Sequence, residues 1–70
     1  MVEMMPVSSS SVAAVGYDEH SGDLFVEYIK SGTYIYAGVP MPVFEDLMRA
    51  PSIGIFVNQV IKPTYTWTQL

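Results

Sequence analysis

The sequence predicts an α+β domain: a small antiparallel three-stranded sheet (β-β-β), then two short helices and a short C-terminal strand. Three observations carry this. Residues 12–37 hold short runs of β-branched and aromatic residues, separated by turns rich in Gly, Ser and Asp. Residues 40–63 switch to apolar residues at helical spacing, punctuated by Pro40, Pro42, Pro51 and Pro63. Residues 64–68 return to strict alternation of threonine and aromatic residues, the period of a strand.

Residues 1–6 read as a loose leader of a single domain spanning 1–70, and Ser8-Ser9-Ser10-Ser11 as a polar run. That run has two readings: a flexible lead-in, or a set of hydroxyls for a neighbouring backbone or a ligand. Val12 to Tyr17 forms the first strand, with Gly16 marking a bulge or a close backbone approach. Residues 18–23 are turn formers; His20 among them reads as a solvated turn residue.

Leu24 to Ile29 forms the second strand and Thr33 to Ala37 the third, joined at Ser31-Gly32. On the second strand Leu24, Val26 and Tyr28 share one face, and Phe25, Glu27 and Ile29 the other. Both faces are mostly apolar, so the outer one is expected to meet another subunit or further strands. On the third strand Tyr34 and Tyr36 share a face. Either they pack under the helices with hydroxyls bonded at the rim, or they form a stacking platform for a flat ring.

Pro40-Met41-Pro42 opens the first helix, since proline is tolerated where no backbone donor is needed. Phe44, Leu47 and Met48 line one face; Glu45 and Asp46 are expected early in the helix and Arg49 near its end, as the helix dipole favours. Pro51 stops it and Ser52 is the N-cap of the second helix, which runs to about Lys62 before Pro63 ends it. Ile53, Phe56, Val57, Val60 and Ile61 keep the helical period, and Ile55 falls off that stripe. The terminal strand is free to pair across subunits.

Composition narrows the function. Half of the 70 residues are apolar and 14% are charged, which rules out disorder. A chain this short hides only about 60% of its unfolded surface, and there is no cysteine to staple it. Homo-oligomerisation is the expected remedy. The net charge is −4, with Lys30, Arg49 and Lys62 as the basic residues. Phosphate-backbone affinity comes largely from such cations, so DNA is not an expected partner. No apolar run approaches a membrane span and residues 1–11 lack a signal-peptide pattern, so a cytoplasmic location without a membrane partner is the expectation. No nucleophile–base pair, metal-ligand spacing or phosphate-binding glycine loop is present. The chain is therefore expected not to be an enzyme, with no catalytic residue, metal or cofactor.

The chain also resembles the KTSC family, small domains named after the C-terminal segment of some lysyl-tRNA synthetases and found as stand-alone bacterial and phage proteins. The likeness runs from about Pro6 to Tyr65. It rests on Pro6-Val7, Ser9-Ser10, Gly16-Tyr17-Asp18, Leu24-x-Val26, Gly32, Tyr34-x-Tyr36, Val39-Pro40, Phe44, Leu47, Ala50, Ser52-x-Gly54, Asn58 and Ile61. The resemblance implies RNA binding as one activity. Two departures work against it: Ile53 and Ile55 stand where relatives carry Lys or Arg, and the tail Tyr65-Thr66-Trp67 replaces a basic, tyrosine-rich one.

The expected function is a homo-oligomeric binding module whose inter-subunit pockets hold a small nucleotide-like ligand, sequestering it as some phage immune-evasion proteins do. Tyr34, Tyr36, Tyr65 and Trp67 would stack on a base. Lys62 or Arg49 would neutralise a phosphate, and Asn58, Ser9 and Ser10 would read polar edges. The alternatives are an RNA-binding accessory domain and a ligand-free protein-interaction module.

Overall fold

A computed structural model describes residues 2–70. The strands are β1 (Met5–Pro6), β2 (Val12–Asp18), β3 (Asp23–Tyr28), β4 (Gly32–Tyr36) and β5 (Trp67–Gln69). They form one antiparallel sheet in the order β1-β2-β3-β4-β5. The three-strand expectation is corrected to five. The leader supplies an edge strand, with Met5 opposite Val15 and Pro6 opposite Ala14. At the other edge, the C-terminal strand pairs with β4 of its own chain, Trp67 opposite Tyr36 and Gln69 opposite Tyr34. The bonds Ala37 N–H to Thr66 O and Leu70 N–H to Thr33 O, each 2.9 Å, bracket that pairing. Without β5, the donors and acceptors along that side of β4 would lie open.

The break in β2 falls at Val12–Ala14, where the register shifts against β3. The extra residue turns both Val12 and Val15 to the core despite their odd spacing, a bulge's usual effect. Gly16 has the other role the sequence suggests, a close backbone approach. A Cβ there would meet the Glu3 carbonyl oxygen at 2.9 Å and the Met4 sulfur at 2.8 Å. Gly16 lies opposite Phe25 on the sheet face away from the core, so residues 2–4 lie over part of that outer face.

Helix α1 is Met41–Arg49, with Pro40 at its N-cap. Its first turn holds no acidic residue, because the helix begins at Met41 and leaves Glu45 and Asp46 in mid-helix. Residues 53–64 are helical throughout: α2 (Ile53–Phe56), a π turn (Val57–Ile61) and α3 (Lys62–Thr64). Ser52 caps this stretch as expected, its hydroxyl accepting from Ile55 N–H at 3.3 Å. Pro63 does not end it. Proline cannot donate to the carbonyl four residues back, and its ring crowds that carbonyl. The wider turn upstream, with Lys62 N–H bonded to Val57 O, lets the helix pass through Pro63 as far as Thr64.

The core lies between sheet and helices. Val12, Val15, Leu24, Val26 and Tyr36 come from the sheet, Leu47 from α1, and Ile53, Val57 and Ile61 from the second helical stretch. Tyr17 stacks on Phe44, ring centres 4.7 Å apart, and its hydroxyl donates to Val39 O. Burial and the acidic Glu19 and Asp18 push the Tyr17 phenol upward. Asp18 accepts from His20 and Ser21 N–H in the turn that precedes Gly22 (φ 77°), and His20 is exposed.

Candidate functional site: an aromatic pocket beside two lysines

Strand alternation puts Tyr28, Tyr34, Tyr36, Trp67 and Gln69 on the helix-side face of β3, β4 and β5. Near the Gly32 end of the hairpin the helices no longer cover this face, and a pocket of about 290 Å³ opens. That is near the lower end of the about 300–1,000 Å³ typical of small-molecule sites. Its walls are Tyr28, Ser31, Tyr34, Tyr36, Lys62 and Trp67.

The rings are held by one another. Tyr34 meets Tyr28 edge-on at 5.4 Å and 82°, and meets Trp67 at 5.1 Å and 58°. Both are diagonal cross-strand neighbours, within reach of aromatic side chains. The Tyr28 and Tyr36 hydroxyls bond to each other at 2.7 Å. Burial, then that bond, raises the Tyr28 phenol far above its ordinary range, so it is a neutral hydroxyl at any physiological pH. The Lys62 ammonium sits 5.0 Å from the Tyr28 ring centre, within cation–π range. Gln69 Nε2 donates to Ser31 O at 2.9 Å, tying the end of β5 to the β3–β4 turn. Trp67 is 57% exposed, an unusual state for the largest aromatic side chain.

A second depression of about 350 Å³ adjoins the first, with Tyr28, Ser31 and Lys62 in both. It adds Lys30, Asn58, Ser10 and Ser11. A third, about 410 Å³, shares Ser10, Ser11 and Asn58 with the second and runs past Gly54 and Ile55. Gly54 lets the serine run approach closely: a Cβ would stand 2.7 Å from the Ser11 hydroxyl and 3.4 Å from that of Ser9. Two of the basic residues, Lys30 and Lys62, therefore line one groove, and among the described residues no Asp or Glu lines any of its three parts.

The structure gathers Tyr34, Tyr36, Lys62 and Trp67 at the aromatic pocket, and Asn58 and Ser10 beside it. Ser9 lines the farther part of the groove, and its oxygen is engaged by the N–H groups of Ser11 and Val12, each at 3.2 Å. Tyr65 is half-buried against the core and is not a pocket wall. Arg49 pairs with Asp46 at 2.9 Å on the exposed side of α1 and lines no part of the groove. Sequence reasoning missed Tyr28, Ser31 and Lys30 as site residues. Tyr28 alternates with Leu24 and Val26 and so reads as core; the signal that separates it is its place at the strand end, opposite Gly32.

A model of the KTSC domain matches residues 8–65. A protein of Tsukamurella paurometabola is 44% identical over 62 residues, which cover 89% of this chain and 92% of that protein. One from Stutzerimonas stutzeri is 36% identical over 64 residues, 91% of this chain and 90% of its own length. The crystal structure of a KTSC domain protein from Yersinia pestis matches with a TM-score of 0.97 at 34% identity, covering 100% of this chain and 99% of that one. With a family model over most of its length and relatives aligned along nearly all of it, this chain belongs to the KTSC domain family.

Proposed function

We propose that this protein is a non-catalytic binding module for a small nucleotide-type ligand, with the base against Trp67 and Tyr34 and a phosphate at Lys62. The observation that carries the reading is the exposed Trp67 ring beside Tyr34, in a pocket that also holds the Lys62 ammonium. A flat π system covers aromatic faces without needing many polar contacts, and a compact ammonium binds phosphate as a point charge. The net charge of −4 is no obstacle, because the pocket walls include a lysine and no carboxylate. Burial, then the bond to Tyr36, drives the Tyr28 phenol upward and keeps that wall a neutral hydroxyl. A module that holds a nucleotide without turning it over acts by sequestering it.

Self-association belongs to the same reading. Ile29 and Leu70 are 54% and 75% exposed in the single chain, apolar side chains that a second copy would cover. Sedimentation analysis should find an oligomer at working concentration; a stable monomer removes that part of the proposal.

Trp67 is the single tryptophan and reports on the site. Titration with nucleoside monophosphates should quench its fluorescence saturably. No response to any base at millimolar concentration would sink the nucleotide reading.

A further inference from the structure

We propose that the full ligand is a dinucleotide, two nucleosides joined through phosphate, laid along the groove from Trp67 to Asn58. This rests on the nucleotide reading of the aromatic pocket and names the substrate class more narrowly.

The argument begins with charge. A chain with net charge −4 has few cations to place, yet Lys30 and Lys62 line the same middle depression, where no carboxylate faces them among the described residues. Arg49 is engaged with Asp46 on the exposed side of α1. Two ammonium groups near one unopposed site suit an anion more than a neutral ring. The position matters as much as the sign. Lys62 lines both the aromatic pocket and the middle depression, where Lys30, Asn58 and Ser10 join it, and that depression shares Ser10, Ser11 and Asn58 with the far part of the groove.

The two ends differ in chemistry. One is aromatic, built from Tyr28, Tyr34 and Trp67, and suits the face of a base. The other is polar, with the Asn58 amide and serine hydroxyls, and Ile55 is exposed beside it. An amide both donates and accepts, so it can pair with the edge of a second base, while Ile55 offers apolar contact to its ring. A mononucleotide seated on Trp67 with its phosphate at Lys62 leaves the far depression unused, the one lined by Ser9, Gly54 and Ile55 that shares no wall with the aromatic pocket. A phosphate-bridged second nucleoside fills it.

The experiment compares a nucleoside, its monophosphate, the dinucleoside monophosphate and a longer oligoribonucleotide by Trp67 fluorescence and calorimetry. Using adenosine, adenosine monophosphate, ApA and an oligoadenylate keeps the base constant. The dinucleotide should bind at least about fivefold more tightly than the monophosphate, as one further base contact would give. Asn58→Ala and Lys30→Ala should each remove that gain while their circular-dichroism spectra match the parent's. Equal affinity for monophosphate and dinucleotide overturns the dinucleotide assignment and leaves the nucleotide reading standing. Affinity that keeps climbing in the longer oligomer overturns it in favour of a strand-binding surface. A Trp67 signal that responds to none of the four, nor to the matching guanine, cytosine and uracil series, overturns both proposals.

Discussion

The hydroxyls of Tyr28 and Tyr36 are 2.7 Å apart and form one hydrogen bond between adjacent strands. Tyr36 is 1% exposed, whereas Tyr28 is half-buried at the pocket wall. Removing either hydroxyl takes away the other's protein partner. Tyr28→Phe leaves the buried Tyr36 oxygen unpartnered and should cost about 1–3 kcal/mol, the range for an unsatisfied buried polar group. Tyr36→Phe leaves Tyr28 able to reach water and should cost about 1 kcal/mol. The double variant should cost less than the two singles together, because no orphan remains. Urea denaturation of the three variants checks this. Strict additivity would mean the bond contributes no coupling.

The same phenol predicts an alkaline limit. Its pKa in the folded chain lies above the unfolded value, so the native state holds the proton more tightly. That contribution is complete below about pH 10, the unfolded tyrosine value, and is lost as pH rises beyond it. Denaturation midpoints should therefore fall above that pH, and Tyr28→Phe should flatten the fall. Asp18 has the opposite sign. The N–H groups of His20 and Ser21 hold its carboxylate below the usual range, so its contribution is present above about pH 4 and disappears as pH drops further. Asp18→Asn should flatten the acid limb while leaving the alkaline one unchanged.

Lys62 and Trp67 should separate in binding assays. Trp67 is largely exposed on an edge strand, so Trp67→Ala should cost only the ring contact to Tyr34, about 0.5–1.5 kcal/mol of stability. It should cost about 1–3 kcal/mol of nucleotide affinity, the worth of one stacked base. Lys62→Ala forfeits the cation–π contact to Tyr28, about 0.5–1 kcal/mol of stability at an exposed site. Its larger effect should be on phosphate: nucleotide affinity falls and nucleoside affinity does not. Calorimetry on nucleoside and monophosphate pairs reads this directly. Equal losses for both ligands would take Lys62 out of the phosphate role.

Much of this site is legible from period and spacing. Tyr34 and Tyr36 fall on one face by alternation alone, and Ser52 reads as a cap from its place before an apolar stripe. Tyr28 is harder, because alternation assigns it to the core face and says nothing of where the helices stop covering that face. The N-terminal edge strand escapes for a different reason. Met5–Pro6 is too short to carry a period, and its strand identity comes from pairing with β2, a long-range contact. Pro63 misleads because a stop signal is local, while the π turn that absorbs it depends on the fit of Val57 and Ile61 in the core. Arg49 looks as available as Lys62 in sequence; only the fold shows that it pairs with Asp46 away from the groove.

Gly16 gives the sharpest test of how the N-terminal segment is held. The glycine lies in regular strand, so its need is for space and not for an unusual backbone angle. A methyl group there would stand 2.9 Å from the Glu3 carbonyl oxygen, which is backbone and cannot rotate away. Alanine is at least as good as glycine in a strand, so the local effect alone is neutral or favourable. Gly16→Ala should nonetheless destabilise the chain by about 1–3 kcal/mol, the cost of overpacking. Removing residues 1–4 should abolish that penalty, since the atoms the methyl group meets are then gone. If the penalty persists in the shortened chain, the clash lies elsewhere and residues 2–4 do not pack on this face in solution. If neither background shows a penalty, the segment moves aside at negligible cost, and the outer face beside Phe25 is open to a partner.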